Sequence, residues 1–150
     1  MFVADHGYGR SQKFHRLPRY LYALMFPNKR LYIGQSVDPK RRFQQHKSQG
    51  KWLTNNDFVM VVLSCQFTTE EEASDWEHAY RQVAAWWGWG VYWKEPGLII
   101  RHVGLQINGA RRRMAWKLWW SFHRQLRHGK RFVDKSTGPT PLERVIDQRR

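Results

Sequence analysis

Apolar residues recur along this chain with two different periods, and together these periods predict a mixed α/β domain. The β-rich runs 20–26 and 31–34 flank the turn segment 27–29, a combination that is typical of a β-hairpin. A third apolar run, 58–65, has the composition of a buried strand. The sequence therefore predicts an α/β (α+β) fold with a small three-stranded, mostly antiparallel sheet that is flanked by helices.

Two helices are expected around the third strand. Asp38 is a good N-cap residue and is followed by proline, so a first helix should occupy about 39–48. Thr69 precedes three glutamates, and acidic side chains in a first turn suit the positive end of the helix dipole. We expect this second helix to reach about Trp87, where the glycines at 88 and 90 end it.

The C-terminal part of the chain predicts helices of a more basic character. A third helix is expected over 111–128 and should end at Gly129, and a short last helix should follow the linker at 136–139. The apolar stripe of the third helix consists of Ala115, Leu118, Trp119, Phe122 and Leu126. We therefore predict a basic N-terminal arm at 1–18, a central domain at 19–110, and a basic helical extension with a tail at 111–150.

The charge of the chain points to a polyanionic partner. Lys and Arg number 26 against 12 Asp and Glu, which gives a net charge of +14 and a pI near 10.5. Ten basic and two acidic residues give +8 over 1–50, thirteen and three give +10 over 101–150, and three and seven give −4 over 51–100. Simple solubility is the alternative explanation, but this distribution favours a groove that follows phosphates. Nucleic acid is favoured over a membrane surface.

Length and composition restrict the class of protein further. A chain of 150 residues, 41% of them hydrophobic, can form one domain with its own core. No apolar run approaches the roughly 20 residues of a membrane span, and no signal-peptide pattern opens the chain. The single Cys65 excludes an internal disulfide and a cysteine-based zinc cluster. These features predict a cytoplasmic protein without a membrane partner.

The first predicted helix carries residues that can bind phosphate. Arg42 and His46 are four positions apart and therefore share one face of that helix. A guanidinium recognises phosphate in a bidentate manner, and an imidazole can donate to a phosphate or to a leaving oxygen. The alternative is that Lys40, Arg41 and Arg42 form an ordinary solvated basic face. If the face is functional, we expect Lys40 and Arg41 to contact a nucleic-acid backbone.

Glu77 lies inside the apolar stripe of the second predicted helix, four positions after Ala73 and three before Tyr80. The helix dipole explains the first-turn glutamates at 70–72, but it does not explain Glu77. A buried carboxylate is costly unless it meets a cation, a metal or several donors. An internal salt bridge or a partly exposed position is one explanation. The other is a hard oxygen ligand for one Mg²⁺, an ion that keeps most of its waters.

Two short tyrosine elements, Tyr20-Leu21-Tyr22 and Tyr32-Ile33-Gly34, lie in the two strands of the predicted hairpin. Through them the chain resembles the GIY-YIG nuclease superfamily: the first element stands where the family has Gly-Ile-Tyr, with tyrosine in place of glycine, and the second is intact. Arg42, His46 and Glu77 follow at the family's spacing, and the resemblance covers roughly 19–80. Strand packing is the structural alternative for the two tyrosines.

The resemblance implies a mechanism. One divalent ion on Glu77, Mg²⁺ or Mn²⁺, would bind the scissile phosphate and stabilise the leaving oxygen. Tyr32, assisted by Tyr22, would help to deprotonate the attacking water. Arg42 would neutralise charge on the phosphorus, and His46 would orient or exchange a proton. A phenol with a pKa near 10 is a poor base at neutral pH, so it needs a metal or an arginine nearby.

Three further features accompany these residues. Asn108 resembles an asparagine that the family carries after the glutamate helix, although it lies unusually far beyond Glu77. The intervening segment 86–93 holds four of the nine tryptophans and resembles an insertion. It could stack on bases, wedge into a duplex or form a dimer interface, and extra core is the alternative. The cations predicted to contact a nucleic-acid backbone from the third helix are Arg111, Arg112, Arg113, Lys117 and Arg124.

The sequence thus predicts a metal-dependent endonuclease that hydrolyses phosphodiester bonds, with DNA favoured over RNA as the substrate. A homo-oligomer or the C-terminal extension would be needed to recognise a long specific site. The alternative is a non-catalytic nucleic-acid-binding accessory protein that retains the nuclease fold. The intact set of site residues argues against this alternative, because binding alone has no use for a glutamate that faces phosphate. Cleavage by a histidine pair is disfavoured, since the seven histidines are scattered.

Overall fold

The protein is described by a computed structural model over residues 14–27, 29–48, 57–92, 99–100 and 109–134. These residues form six strands and four helices, which confirms the predicted α+β class. The strands are β1 (Leu17–Phe26), β2 (Arg30–Ser36), β3 (Val59–Thr68), β4 (Gly90–Tyr92), β5 (Ile99–Ile100) and β6 (Arg131–Phe132). The helices are α1 (Pro39–Ser48), α2 (Glu70–Trp86), α3 (Gly109–Leu118) and α4 (Phe122–His128).

All six strands belong to one sheet with the order β5-β4-β2-β1-β3-β6. Only β2 and β4 pair in parallel, so the predicted mostly antiparallel sheet is confirmed. The predicted number of three strands is wrong, since β1, β2 and β3 form only the centre of the sheet. The three strands added at the edges are two or three residues long. Such short segments carry no readable period, and their pairing is set by tertiary contacts.

The central strand β1 is covered on both faces, which is why its sequence is a continuous apolar run rather than an alternating one. One face packs Leu21, Ala23 and Met25 into a core that α2, α3 and α4 complete. The opposite face packs Tyr22, Leu24 and Phe26 into a smaller aromatic core. That second core also contains Phe43, Phe58, Met60 and Tyr92. Helix α1 therefore covers one side of the sheet and the other three helices cover the other.

Both predicted helix starts are confirmed. The Asp38 carboxylate accepts a hydrogen bond from the backbone N–H of Arg41 at 3.2 Å. Thr69 forms a capping box with Glu72, in which each side chain accepts a bond from the backbone N–H of the other residue. The helices begin at Pro39 and Glu70, so each cap fixes the position where its helix leaves the sheet.

The single helix predicted over 111–128 is wrong, because the chain turns between α3 and α4. The N–H of Trp119 bonds back to the carbonyl of Trp116, three residues earlier, which tightens the last turn of α3. The carbonyl of Trp119 instead accepts a bond from the indole N–H of Trp87 at 3.1 Å. A tertiary contact thus satisfies a carbonyl that a continuous helix would have used. Within the described ranges, none of the helices has the length and apolar character that a membrane crossing requires.

Candidate active site

A cleft of about 720 Å³ opens between α1 and α2, at the end of the sheet where β1 begins and β2 ends. The predicted site residues that line it are Tyr22, Tyr32, Arg41, Arg42 and Glu77. They come from four different elements, β1, β2, α1 and α2, and only the fold brings them together. These predicted residues bring two phenols, two guanidinium groups and a carboxylate to the cleft.

The glycine of the second tyrosine element is required by the position of the first tyrosine. Strand pairing places Tyr22 opposite Gly34. A Cβ atom on Gly34 would lie 2.5 Å from the phenol oxygen of Tyr22 and 2.6 Å from its ring carbon Cζ, which is a severe overlap. The missing side chain thus leaves space in which the Tyr22 ring crosses β2 toward α1. A register shift between Leu21 and Tyr22 in the β1–β3 pairing adds a local irregularity beside the site.

Tyr22, Tyr32 and His46 form a compact aromatic group beneath the cleft. The Tyr22 hydroxyl and Nε2 of His46 are 2.8 Å apart and share a hydrogen bond. The ring of Tyr32 lies 6.5 Å from that of Tyr22 and 5.9 Å from that of His46, measured between centroids. His46 contacts the cleft through Tyr22 rather than lining it. His46, one helical turn after Arg42, therefore has the Tyr22 phenol between its imidazole and the cleft.

Both tyrosines are held in their neutral form. Burial raises the pKa of Tyr22 far above its ordinary value, and the neighbouring Tyr32 adds to this while Arg42 opposes it. Burial also raises the pKa of Tyr32, to which the charge of Glu77 contributes. Arg42 is therefore too weak an influence to ionise either phenol. Each phenol consequently keeps its proton available for a hydrogen bond at neutral pH.

Arg42 is exposed and lies on the cleft side of α1. Its guanidinium donates to the side-chain oxygen of Gln45 at 3.2 Å, one turn further along the helix. Gln45 also lines the cleft and thus holds the arginine along this side. A planar group in this position can meet a phosphate with two parallel hydrogen bonds.

Glu77 is nearly buried, as its position in the apolar stripe predicted, with 14% of its side chain exposed. One carboxylate oxygen accepts a bond from the side-chain amide of Gln35 at 2.8 Å, and the other lies 3.4 Å from the guanidinium of Arg81. Glu77 therefore forms an internal salt bridge and also lines the cleft, so both explanations offered for its position hold. Burial raises the pKa of the Glu77 carboxyl, while the bond from Gln35 and the charge of Arg81 oppose that shift.

The donor set of the cleft fits a single hydrated cation. Across the described residues, no group of three or more His, Cys, Asp or Glu side chains converges on one point. Glu77 offers carboxylate oxygens to an open cleft, and Glu70 and Glu71 lie on the same side. One carboxylate with room for water is the donor chemistry that Mg²⁺ accepts.

The remaining predicted residues lie elsewhere. Lys40 faces a different cavity on the far side of α1. Arg111 of α3 donates to the carboxylate of Asp75 on α2 at 2.7 Å, so its side chain links these two helices. Four other cations are exposed on α3 and α4: Arg112, Arg113, Lys117 and Arg124. Asn108 lies outside the described residues, and its assignment to the site stays a prediction.

Three residues that contribute to the site were not predicted. Arg81 follows Glu77 by one helical turn, a spacing that would have identified it as the partner of the carboxylate. Gln35 directly follows the second tyrosine element, but its contact with Glu77 spans 42 positions and has no local signal. Arg19 lines the cleft with only 5% of its surface exposed, and it donates to the carbonyl of Thr68 at 3.0 Å.

The tryptophan-rich segment belongs in large part to the core. Trp89 is 2% exposed, and β4 supplies the buried Val91 and Tyr92 to the sheet. Trp87 stacks on Trp119 with ring centroids 4.2 Å apart and so joins α2 to the turn after α3. The structural alternative of extra core therefore accounts for these residues. Trp93 lies outside the described residues.

The comparisons with known proteins agree with this geometry. Residues 18–85 match the family model of the GIY-YIG catalytic domain. The matched range contains both tyrosines, Arg42, His46 and Glu77, and it ends before Asn108. Comparisons with curated proteins and with solved structures gave no match. The match identifies residues 18–85 as a GIY-YIG catalytic domain.

Proposed function

We propose that the protein is a divalent-metal-dependent endonuclease that hydrolyses phosphodiester bonds of DNA. The GIY-YIG domain over residues 18–85 supports a nuclease-type function in general, and the finer assignment is ours. The observation that carries it is the convergence of Tyr22, Tyr32, Arg42 and Glu77 on one open cleft. A protein that only binds nucleic acid gains nothing from a buried carboxylate facing phosphates, because that charge repels them.

Arg42 is proposed to bind the scissile phosphate and to stabilise the charge that develops on it. Electrostatic stabilisation of this kind is strongest where the donor is already in place. Gln45 holds the guanidinium on the cleft side of α1, so the arginine need not reorganise during the reaction. Because the guanidinium keeps its charge at any working pH, it acts by charge and orientation and not by proton transfer.

Glu77 is the residue proposed to hold the metal. A divalent ion bound there would supply Lewis-acid character and positive charge for the hydrolysis of the phosphodiester. Gln35 orients one carboxylate oxygen, and Arg81 balances part of the negative charge. Mg²⁺ or Mn²⁺ suits this oxygen donor in an open cleft.

The hydrogen bond between Tyr22 and His46 supports a proton pathway. With its raised pKa, Tyr22 alone is a poor base for an attacking water. If the phenol oxygen accepts a proton from water, its own proton can pass to Nε2 of His46, which is 2.8 Å away. An imidazole accepts a proton far more readily near neutral pH. The resemblance implied that Tyr32 activates the water with Tyr22 assisting. Because of the bond to His46, we propose the reverse, with Tyr22 and His46 in the principal role and Tyr32 in the assisting one.

The charge of the chain supports a nucleic-acid substrate. A net charge of +14 favours association with a polyanion, and basic residues lie on α1, α3 and α4. Phosphate contacts of this kind give affinity without sequence choice. We therefore propose DNA with little dependence on base sequence as the substrate of the domain itself.

Nicking of supercoiled plasmid tests the proposal. Wild type is incubated with Mg²⁺ or with a chelator, and the Glu77→Gln variant is tested in parallel. We expect nicking by wild type only with the metal, a large loss of nicking in Glu77→Gln, and retained DNA binding. Asp57→Asn is the matched control, because it neutralises an exposed carboxylate outside the cleft. Equal nicking by wild type and Glu77→Gln, or none by wild type with any divalent ion, would overturn the assignment.

A further inference from the structure

A second cavity of about 560 Å³ lies between α1 and β6. We call it the α1–β6 groove. The residues that determine its chemistry are Lys40, Phe43, Lys47, Arg131, Phe132 and Asp134. Three cations face one carboxylate in this groove, so its charge favours an anionic occupant. None of its residues belongs to the catalytic cleft.

The base of the groove is aromatic. The rings of Phe43 and Phe132 are stacked, with centroids 6.0 Å apart and an interplanar angle of 29°. The ammonium of Lys47 lies 4.1 Å from the centroid of the Phe58 ring and 5.7 Å from that of Phe43. A cation beside aromatic rings in a partly enclosed space provides contacts for both the phosphate and the nucleoside of a nucleotide. The ammonium can pair with the phosphate, and the partly exposed ring of Phe132 can contact the sugar or the base.

The groove and the cleft share helix α1. Helical spacing directs Arg41, Arg42 and Gln45 to the cleft, and it directs Lys40 and Lys47 to the groove. The two sites are thus separated by the width of one helix, about 10–12 Å with its side chains. A polyanionic strand that leaves the cleft over α1 meets basic side chains until it reaches the groove.

We propose that the α1–β6 groove binds a backbone phosphate and the adjoining nucleoside of the same DNA strand whose scissile phosphate lies in the cleft. This inference rests on the proposed nuclease function. The phosphate is assigned to Lys47 and Arg131. There it competes with the carboxylate of Asp134, whose charge acts on the ammonium of Lys47. The groove thereby fixes how the strand crosses α1, and it adds affinity at a distance from the reacting phosphorus.

Binding of labelled single-stranded DNA oligonucleotides of increasing length tests the inference. Fluorescence anisotropy is measured on the Glu77→Gln background, so that the DNA stays intact. We expect Lys47→Gln to weaken binding of the longer oligonucleotides about tenfold, the loss that one charge-assisted contact represents. The slope of log K against log salt should fall by about 0.7 for the lost phosphate contact. The shortest oligonucleotides, which fill only the cleft, should bind both proteins equally.

Asp134→Asn is expected to change DNA affinity in the opposite direction. A gain in affinity cannot be explained by a weakened fold. Asp134 is exposed, and removing its charge should tighten binding of the longer oligonucleotides. Arg30→Gln is the matched control for Lys47→Gln, because Arg30 is exposed and lines neither the cleft nor the groove. Thermal melting by circular dichroism confirms that each variant is folded.

The outcomes separate the two proposals. If Lys47→Gln and Asp134→Asn bind all lengths like their parent while wild type nicks plasmid, the groove inference is wrong and the nuclease assignment stands. If wild type neither binds nor nicks DNA, both are wrong. A Lys47→Gln loss that is equal at every oligonucleotide length would also overturn the inference, since it would indicate a general charge effect.

Discussion

The two helices that border the cleft begin in opposite ways. Helix α2 starts with Glu70, Glu71 and Glu72, whose charges favour the positive end of the helix dipole. Helix α1 has no acidic residue in its first turn, and Lys40 and Arg41 follow its proline there. Cations at this end oppose the dipole, by about 0.3–1 kcal/mol each at an exposed site. The first-turn glutamates of α2 therefore stabilise that helix. The first-turn cations of α1 destabilise theirs slightly and make its surface positive.

This difference divides the cleft by charge. The α1 side presents Arg41 and Arg42, and the α2 side presents Glu71 and Glu77. A phosphate that enters the cleft is attracted by the first side, and a divalent cation is attracted by the second. Helix α1 thus supplies the positive charge for the phosphate, and helix α2 supplies the negative charge for the metal.

The largest effect is expected from Arg42→Gln on the α1 side. This variant keeps a side chain of similar length but removes the charge that faces the phosphate. Loss of one stabilising donor typically lowers the rate about 10²- to 10³-fold, and we expect that range for plasmid nicking. Rates at saturating DNA isolate the chemical step from binding.

Arg30→Gln is the control for this change, because it removes the same charge from an exposed position outside the cleft. Its nicking rate should stay close to that of wild type. A similar loss in both variants would mean that overall charge, and not the α1 side of the cleft, governs the rate.

On the α2 side, Gln35→Ala should shift the pH dependence of nicking. The bond from Gln35 opposes the burial that raises the pKa of Glu77, so its removal should raise that pKa further. Glu77 must be ionised to hold a cation. Activity should therefore be lost at a higher pH in the variant as the solution is made more acidic.

The check is the acid limb of the pH–rate profile, measured for wild type, Gln35→Ala and Gln66→Ala. Gln66 is a partly exposed residue of β3 that lines neither the cleft nor the α1–β6 groove, and its variant should give the wild-type profile. An unchanged acid limb in Gln35→Ala would show that ionisation of Glu77 does not control activity in this range.

The same comparison shows which parts of the molecule its sequence could predict. Asp38 and Thr69 are local signals, and both helices begin where these caps place them. The burial of Glu77 followed from helical periodicity alone, since the period fixes which face a side chain joins. Local geometry thus gave the two helix starts that border the cleft and the carboxylate within it.

What could not be predicted depends on contacts between distant segments. Gln35 and Glu77 meet across 42 positions, and nothing near either residue indicates the other. The parallel pairing of β4 with β2 involves only Gly90–Tyr92, which is too short for a period. The break after α3 is stabilised by the indole of Trp87, whose partner carbonyl lies 32 positions away. Each of these features is decided by packing and not by local preference.

A smaller effect is expected from the caps themselves. Thr69→Ala removes the hydroxyl that accepts from Glu72 N–H and disrupts the capping box, which should lower the free energy of unfolding by about 1 kcal/mol. Asp38→Ala removes a single such bond and should cost no more than Thr69→Ala. Urea unfolding at neutral pH compares the two variants with wild type. A larger loss for Asp38→Ala would mean that α1, and not α2, has the better stabilised start.

The capping box also has a pH dependence. The backbone N–H of Thr69 lowers the pKa of the Glu72 carboxyl, and the charge of Arg16 adds to this shift. A lowered pKa in the folded state means that the contribution is present above the ordinary carboxyl pKa and is lost as the pH falls through the lowered one. The difference in stability between wild type and Glu72→Gln should therefore shrink in acid. A difference that stays constant down to strongly acidic pH would contradict the reciprocal bond.

The smallest effect, and the one of opposite sign, is expected from Lys40→Glu. An acidic residue at the second position of α1 suits the dipole, so the free energy of unfolding should rise by about 0.3–1 kcal/mol. The same change should weaken DNA binding and lower its salt dependence, because the strand loses a cation where it crosses α1. Gln44→Glu is the control for stability, since it adds a negative charge in the middle of α1, where the dipole has little effect. It does not serve as a control for binding, because Gln44 lines the α1–β6 groove. Stability is measured by urea unfolding and binding by anisotropy. A protein that becomes less stable and keeps its affinity would show that the first-turn cations of α1 serve the fold, and the contrast with α2 would then have no functional meaning.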